Sequence, residues 1–496
     1  MIKKDFLIIL LLITLTAITR FIFLEKIPTG LHGDEAWLGL WAREIIQNGY
    51  IGVFSGDALG NPIGLAYITP IFFKLFGESV SSIRLTVSIF SIGTVSFFYI
   101  FLRLFFTKLP SFLTAFAFSF SLIYLHYSRT GFMLTTALFF QIATLVFILI
   151  GRNTKKHYLI FIAAVFAGLG MYTYNAFILF PMTIILLLVF DVLSNKFHHI
   201  EIKRLILFVF TFIIISLPLL KIVITQPDFY FSHHKTISIL NKAEIKDINS
   251  FNQKAYLIIQ NGFNKINSFF KGDVFDYADG FGDFYSFHLV DLILFGLGSI
   301  LLFKNLNLSK AFLLFSLIIF LLSSFLTFGG TYRRIILIMP YLYFFAGNAI
   351  SFLIKQNKLF PILISLVVII SSFINFQTYF FKFPHSPLIK WVYAYDLKET
   401  IIKLKSVYVS QSQVLFFSDR WSCNYETIQF LLPNLNCVDR SIEFGNFNLR
   451  DSSDKNIYVL MGDYIPYITQ IKYLSPKGKE YFVYDDSRLI AIIYQL

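Results

Sequence analysis

The segment that decides the fold class runs from residue 359 to residue 380 and has the sequence LFPILISLVVIISSFINFQTYF. None of its residues is Asp, Glu, Lys or Arg. As an α-helix it would extend for about 33 Å, which is enough to cross the roughly 30 Å hydrocarbon layer of a bilayer. The sequence therefore predicts a transmembrane helix at this position.

Further segments of similar length and apolar character occur along the chain, and together they predict an all-α polytopic membrane bundle of about eleven transmembrane helices. The composition agrees with this class, because only 14% of the 496 residues are charged, against about a quarter in soluble domains. The predicted spans are 6–24, 83–106, 110–126, 131–150, 158–174, 176–193, 205–224, 287–303, 311–328, 335–354 and 359–380.

The basic residues lie mainly in short loops between these spans, and every second loop is basic, beginning with Lys3 and Lys4. The positive-inside rule assigns these loops, and the N-terminus, to the cytoplasm. It assigns the loops 25–82 and 225–286 and the region after residue 382 to the outer side. The formal charge of +13 is therefore interpreted as an orientation signal and a contact with membrane lipids, not as a nucleic-acid surface.

The composition changes at about residue 383, where short β-type runs begin to alternate with helical stretches. This pattern predicts two domains, a transmembrane domain over 1–382 and a small α/β domain outside the membrane over 383–496. Cys423 and Cys437 both fall in the second domain. A disulfide formed in an oxidising compartment and two unpaired buried thiols are equally compatible with the sequence.

Two adjacent carboxylates, Asp34 and Glu35, follow the first predicted span. Carboxylates beside a membrane are costly unless they are solvated, paired or used in chemistry. One interpretation is helix capping, with Asp34 as the N-cap and Glu35 in the first turn of the next helix. The other is catalysis, and the two are compatible because a carboxylate at the start of a helix is well oriented.

Outer loops that should lack arginine carry it in two places. Guanidinium groups suit phosphate oxygens, although snorkelling to lipid headgroups or pairing with the carboxylates also accounts for them. A third outer cluster of hydroxyls and an amide is explained either by substrate binding or by an interfacial aromatic belt. The residues of these clusters are His126, Arg129, Arg333, Arg334, Tyr172, Tyr174 and Asn175.

These groups match what a lipid-linked sugar phosphate would need. Its tail would lie in the bilayer, its phosphate would meet arginine, and a carboxylate would take the proton from an acceptor hydroxyl as that oxygen attacks the sugar. No phosphate-binding loop, dinucleotide fingerprint or metal-ligand cluster occurs in the sequence, so neither a cofactor nor a metal is predicted.

The first outer loop, from Gly33-Asp34-Glu35-Ala36-Trp37 through residues 42–49, resembles that of bacterial family 39-like glycosyltransferases. These enzymes belong to the GT-C superfamily, together with protein O-mannosyltransferases and aminoarabinose transferases of lipid A. The similarity continues through residues 61–67, 75–77, 83–85, 126–132 and 168–174, and through 332–334 with Pro340.

The resemblance implies an inverting transfer of a sugar from a polyprenyl-phosphate donor to a protein, lipid or glycan hydroxyl outside the bacterial cytoplasmic membrane. It implies that Asp34 is the catalytic aspartate, with Glu35 beside it, and that Arg129 and Arg333 or Arg334 bind the donor phosphate. Some relatives carry a further acidic residue in the second outer motif, whereas residues 126–132 contain none. A two-carboxylate or metal-assisted mechanism is therefore not implied.

The main alternative function is a transporter or flippase of lipid-linked glycans. Transporters usually carry ionisable groups near the middle of the membrane and show internal repeats. Here the charged residues concentrate in the loops, which favours the enzyme. A second alternative, an envelope scaffold that binds a partner through the outer domain, leaves the carboxylates and arginines unexplained.

Overall fold

The computed structural model describes residues 2–154, 156–246, 248, 250–271, 284–304, 306–329, 332–333, 336–409, 412–441 and 456–496. Its first helices are α1 (Ile2–Phe21), α2 (Gly33–Asn48), α3 (Thr69–Phe76), α4 (Val80–Leu102), α5 (Lys108–Phe120), α6 (Leu122–Tyr127), α7 (Leu134–Thr154), α8 (His157–Gly170), α9 (Leu179–Ser194) and α10 (His199–Thr225). A two-stranded ribbon of β1 (Phe54–Ser55) and β2 (Asn61–Pro62) lies in the first predicted outer loop.

The second predicted outer loop contains short helices and one longer amphipathic helix, and its residues 272–283 lie outside the described part of the chain. Its helices are α11 (Pro227–Tyr230), α12 (Ser232–Ile237), α13 (Ala243–Lys246) and α14 (Phe251–Lys271). The helices that follow are α15 (Leu289–Lys304), α16 (Leu308–Phe325), α17 (Met339–Leu353), α18 (Phe360–Gln377), α19 (Pro387–Val392), α20 (Tyr395–Lys405), α21 (Glu426–Leu431) and α22 (Ile468–Leu474).

Within the described residues, seven helices are long and apolar enough to cross a membrane. They are Val80–Leu102, Leu134–Thr154, Asn175–Ser194, His199–Thr225, Leu308–Phe325, Ile336–Leu353 and Phe360–His385, and each coincides with a predicted span. The predicted spans 6–24, 110–126, 158–174 and 287–303 also fall on helices. The structure confirms a polytopic helical bundle, but the count of about eleven spans is not confirmed.

The helices differ in how much of their surface the bundle covers. In the most apolar part of α7, 78% of the residues are buried, against 22% in the corresponding part of α10. The inner helix α7 packs against α4 on one side and α8 on the other. Phenylalanine rings fill much of this interior, for example where Phe98 meets Phe118 at 4.7 Å between ring centroids. Because a bilayer accepts apolar side chains, helices such as α10 can leave theirs uncovered.

The C-terminal region contains a five-stranded mixed sheet in the order β4-β3-β5-β7-β6. Its strands are β3 (Gln413–Phe417), β4 (Cys437–Asp439), β5 (Asn456–Met461), β6 (Lys479–Asp485) and β7 (Arg488–Gln495). Strand β3 runs parallel to β4 and β5, whereas β7 runs antiparallel to β5 and β6. The prediction of a small α/β domain is confirmed, and Cys423 and Cys437 are joined in a disulfide.

The C-terminal domain packs directly on the first predicted outer loop. Thr427, in α21, donates a hydrogen bond to the Leu31 carbonyl at 3.0 Å, and the Leu31 amide donates to the Tyr393 carbonyl at 2.7 Å. Gly30 has φ +86°, and a Cβ there would lie 2.0 Å from the Tyr393 oxygen, so only glycine fits. This contact places the C-terminal domain against the start of α2.

Candidate functional site: two carboxylates at the start of α2

The N-terminus of α2 is capped by His32. Its Nδ1 accepts a hydrogen bond from the Asp34 amide at 3.0 Å, and Glu35 Oε2 accepts one from the His32 amide at 3.2 Å. This is a capping box in which histidine takes the place of Ser or Thr. The interpretation of Asp34 as the N-cap is therefore wrong: Asp34 and Glu35 both lie in the first turn, where the helix dipole favours negative charge.

Glu35 points into the protein and is fully buried. Arg84 donates to both of its oxygens, at 3.0 and 3.1 Å, and the Gly131 amide donates to Oε1 at 2.7 Å. Burial opposes ionisation, but Arg84 and the hydrogen bonds outweigh it and hold the pKa of Glu35 below its ordinary value. These bonds tie α2 to α4 and to the turn before α7, and they leave Glu35 no face open to a substrate.

Asp34 points the other way and keeps 41% of its side-chain surface exposed. Its Oδ2 accepts a hydrogen bond from Arg333 Nη1 at 2.6 Å. Partial burial would raise the pKa of Asp34, but the nearby His32 and the Arg333 guanidinium hold that pKa below its ordinary value. Asp34 is therefore an ionised and accessible carboxylate.

A cavity of about 330 Å³ opens in front of Asp34 and Arg333. A second cavity of about 270 Å³ adjoins it and shares Tyr174, His233 and Ile237 with it. Aliphatic side chains such as those of Ile178, Leu179 and Leu326 form much of the wall of the second cavity. The first cavity is lined by His32, Asp34, Trp41, Ala58, Leu59, Asn61, Phe132, Met133, Leu134, Tyr174, His233, Ile237 and Arg333.

Arg333 is held at the cavity wall by its neighbours. Its guanidinium lies over the Phe132 ring, 4.4 Å from the centroid, and its Nη2 is 3.4 Å from His32 Nε2. The Tyr174 hydroxyl donates to the Arg333 backbone carbonyl at 2.9 Å. Arg333 thus presents a fixed positive charge to the cavity, while Arg334 lies outside the described residues.

Arg129 and His126, two of the predicted phosphate-binding residues, do not line the cavity. Both are fully buried, and His126 Nε2 is hydrogen-bonded to the Tyr393 hydroxyl at 2.6 Å. Arg129 donates bonds of 2.5–3.1 Å to backbone carbonyls at the end of α1 and in the turn after it, those of Thr19, Arg20, Ile22 and Ile27. In this structure Arg129 satisfies the carbonyls that a helix end leaves open.

The third predicted cluster is divided. Tyr174 lines both cavities, and Asn175 lines the second. The Asn175 amide donates to the Gly60 carbonyl at 2.9 Å, which orders the loop that carries Asn61. Tyr172 donates its hydroxyl to the Ile215 carbonyl at 2.6 Å, so it joins α8 to α10 instead of facing the first cavity.

Sequence reasoning missed His32, Trp41 and His233 as cavity residues and Arg84 as the partner of Glu35. Two signals pointed to part of this set. His32 precedes a helix whose third residue is glutamate, which matches the spacing of a capping box. Arg84 lies inside a predicted span, where an arginine requires a partner. Within the described residues, no group of three or more His, Cys, Asp or Glu side chains is placed to hold a metal ion.

Comparisons with known proteins bear on the whole chain. A family model described as dolichyl-phosphate-mannose-protein mannosyltransferase matches residues 60–220, and no curated protein sequence matches. The solved structure of ArnT from Cupriavidus metallidurans bound to undecaprenyl phosphate is similar with a TM-score of 0.59 at 13% identity, over 98% of this chain and 97% of that one. The structure of the archaeal oligosaccharyltransferase AglB from Archaeoglobus fulgidus, in complex with an inhibitory peptide and a dolichol-phosphate, is similar with a TM-score of 0.55 at 12% identity. This match covers 99% of this chain and 74% of that chain. At these identities the similarity is one of fold.

Proposed function

We propose that this chain is a membrane glycosyltransferase of the GT-C superfamily, and that it transfers a sugar from a polyprenyl-phosphate donor to an acceptor hydroxyl on the outer side of the membrane. One observation carries the proposal: an accessible carboxylate, Asp34, and a guanidinium, Arg333, face the same cavity and are ion-paired at 2.6 Å. A base for the acceptor and a cation for the donor phosphate are the two groups that such a transfer requires.

The donor class is supported by what the similar structures contain. ArnT was solved with undecaprenyl phosphate and AglB with a dolichol-phosphate. In this chain the apolar cavity beside Tyr174 offers space for the first isoprenoid units, and Arg333 offers paired donors to phosphate oxygens. His32 and His233 line the same cavity as Arg333 and are further donors for the phosphate.

The ion pair suggests an order of events. A donor phosphate at Arg333 competes with Asp34 for the guanidinium, which frees the carboxylate. The acceptor oxygen then attacks the anomeric carbon while Asp34 takes its proton. The carbon–oxygen bond to the phosphate breaks, the electron pair leaves with the phosphate, and Arg333 stabilises the added charge. A single displacement of this kind inverts the anomeric centre.

Glu35 acts as a positioning residue in this scheme. Arg84, Gly131 and His32 already donate to its oxygens, so it holds the first turn of α2 in place and thereby aims Asp34. Arg129 is likewise a structural residue, because its donors are engaged at the end of α1.

The orientation of the site is part of the proposal. A disulfide between Cys423 and Cys437 supports an oxidising, outer location for the C-terminal domain. That domain packs on α2, so the cavity beside Asp34 belongs to the same side. A reporter enzyme fused after Leu496 should be active only outside the cytoplasm, and activity inside would contradict this orientation.

The experiment that tests the function incubates the purified protein with a panel of polyprenyl-phosphate sugars and acceptors, and measures release of the free lipid phosphate. We expect that the free lipid phosphate is released from one class of donor, and only when an acceptor is present. The product linkage, determined by NMR, should have the opposite anomeric configuration to the donor. Retained configuration, or no release with any donor, would contradict the proposal.

Replacing Arg333 by Ala should raise the KM for the donor by about 10- to 100-fold, because a charge-assisted pair to phosphate is worth about 1.5–3 kcal/mol. The KM for the acceptor should change little. Arg333→Lys keeps the charge but not the fork of donors, so its KM for the donor should lie between that of the wild type and that of Arg333→Ala. Equal loss for donor and acceptor would count against a phosphate-binding role.

A further inference from the structure

The C-terminal domain contains a cavity of about 680 Å³ at the carboxyl ends of two parallel strands. Asp419 follows β3, and Gly462 and Asp463 follow β5, its parallel neighbour. The chain leaves β3 towards β4 on one side and leaves β5 towards β6 and β7 on the other. In open α/β sheets, ligands bind at such a point, where the connections run in opposite directions.

Trp391 and Arg420 line one side of this cavity, and Trp421 packs against the same guanidinium group. The Arg420 guanidinium lies 3.9 Å from the ring centroid of Trp391 and 4.0 Å from that of Trp421, and its Nη2 donates to the Trp391 carbonyl at 2.6 Å. Trp391 is nevertheless 50% exposed. A large aromatic side chain held rigidly and left half exposed is typical of a binding surface.

The remaining wall carries both donors and acceptors. Lys390 Nζ is paired with Asp485 at 2.5 Å and lies 3.6 Å from Asp486. Carboxylates and cations both line the cavity; those that matter here are Lys390, Asp419, Arg420, Asp463, Asp485 and Asp486. Such a wall can accept hydrogen bonds from hydroxyl groups and donate hydrogen bonds to them within one small area.

This combination favours a saccharide. A pyranose ring offers an apolar C–H face that stacks on an aromatic side chain, and hydroxyls at its edge that both donate and accept hydrogen bonds. An acyl chain would leave the ionised groups of the wall without partners. A bound metal ion is disfavoured, since no cluster of three ligand side chains occurs in the part of the chain that the structure describes.

The stack also leads towards the proposed catalytic carboxylate. Trp421 packs on Tyr425 with 4.6 Å between ring centroids. A Cβ on Gly33, the residue before Asp34, would lie 3.1 Å from the Tyr425 hydroxyl oxygen and 3.2 Å from Glu426 Oε2. The side chains Trp391, Arg420, Trp421 and Tyr425 therefore form a continuous row from the outer cavity to the first turn of α2.

We propose that the cavity between β3 and β5 is a binding site for a saccharide, and that this saccharide is part of the acceptor. The second half of the statement rests on the proposed function, whereas the binding itself does not. Trp391 supplies the stacking surface, and the pair Lys390–Asp485 with Asp486 supplies the hydrogen bonds.

The test measures binding of manno-, gluco-, galacto- and chito-oligosaccharides to the full-length protein in detergent by calorimetry. We expect saturable binding of one class, weakened at least 10-fold by Trp391→Ala and unchanged by Tyr473→Ala. Tyr473 is the matched control, since it is 87% exposed on α22 of the same domain and does not line the cavity.

A second variant distinguishes the loss of a binding contact from misfolding of the domain. Asp486 is 82% exposed and has φ +51°, a conformation that asparagine tolerates. Asp486→Asn should therefore fold and should weaken binding several-fold, while Asp228→Asn, at a carboxylate 92% exposed elsewhere in the chain, should not. Binding that neither Trp391→Ala nor Asp486→Asn weakens would overturn the proposal.

Other outcomes separate the two proposals. No binding of any oligosaccharide, or Trp391-dependent binding of a Ser- and Thr-rich peptide instead, would overturn the saccharide site. Oligosaccharide binding should persist in Asp34→Asn, because that carboxylate lies outside the cavity. If the protein bound oligosaccharides but did not turn over any donor, only the proposed function would be overturned. If the protein turned over a donor and Trp391→Ala left the KM for the acceptor unchanged, only the assignment of the saccharide to the acceptor would be overturned.

Discussion

Replacing Asp34 by Asn should lower the rate of sugar transfer by about 10³-fold, because a positioned general base contributes about 10²- to 10⁴-fold. Asparagine has nearly the same shape and can still accept the hydrogen bond that Arg333 Nη1 now donates to Oδ2. It cannot take a proton from an acceptor hydroxyl. The measurement is the initial rate of lipid-phosphate release at saturating donor, with protein amount and thermal unfolding monitored in parallel.

The matched control for this variant is Asp228→Asn. Asp228 lies in the second predicted outer loop, is 92% exposed and pairs with Lys235, so its loss should change the transfer rate less than twofold. Asp34→Glu should retain part of the activity, since the base is kept but displaced by one methylene group. If Asp34→Asn retained more than a tenth of the wild-type rate, Asp34 would not be the base.

Replacing Glu35 by Ala should destabilise the protein by about 3–5 kcal/mol, since it leaves the buried Arg84 guanidinium without its counter-ion. Arg84 and Glu35 are both fully buried. The Gly131 amide would lose its acceptor as well. We expect a large fall in the thermal unfolding midpoint in detergent and a lower yield of folded protein.

A surface pair provides the control for this second variant. Glu78 is ion-paired with Arg43, but its side chain is 37% exposed, and an exposed pair is worth about 0–1 kcal/mol. Glu78→Ala should therefore shift the unfolding midpoint only slightly. If Glu35→Ala unfolded like the wild type, the buried pair with Arg84 would not stabilise the fold, and the interpretation of Glu35 as a residue that anchors α2 would be wrong.

These two variants show where sequence reasoning succeeds and where it stops. Adjacent residues of an α-helix differ by about 100° in direction, so the side chains of Asp34 and Glu35 point to different surroundings. The sequence places them together at the start of a helix. It does not say which one faces Arg84 and which one faces open space, because that depends on how α2 is rotated against α4.

The arginines illustrate the same limit. Arg129 and Arg333 are alike in residue type and in their predicted position in outer loops, and both suit a phosphate. Arg333 reaches the cavity. Arg129 instead lies over the ring of Phe380 at 4.8 Å and donates its hydrogen bonds to carbonyls at the end of α1 and in the turn after it. Tertiary packing decides whether an arginine donates its hydrogen bonds to a ligand or to the carbonyls at the end of a helix. A local sequence pattern does not predict this packing.

The helical bundle was more accessible to prediction, because the bilayer imposes one length and one polarity on every span. In the part of the chain that the structure describes, the seven helices long and apolar enough to cross a membrane lie on predicted spans. Span 158–174 shows the limit of this rule: its helix α8 ends at Gly170, and residues beyond it turn to carry Tyr174 and Asn175 to the cavities.

The packing of α21 on α2 couples the C-terminal domain to the transmembrane domain. Arg43 donates to the carbonyls of Gln429 and Phe430 at 2.9 and 2.7 Å, and Trp37 donates to Glu426 at 3.1 Å. A movement of the C-terminal domain is therefore transmitted to the turn that bears Asp34. We expect that a variant without residues 383–496 would lose these contacts, and that its Asp34 would no longer be held in register with Arg333.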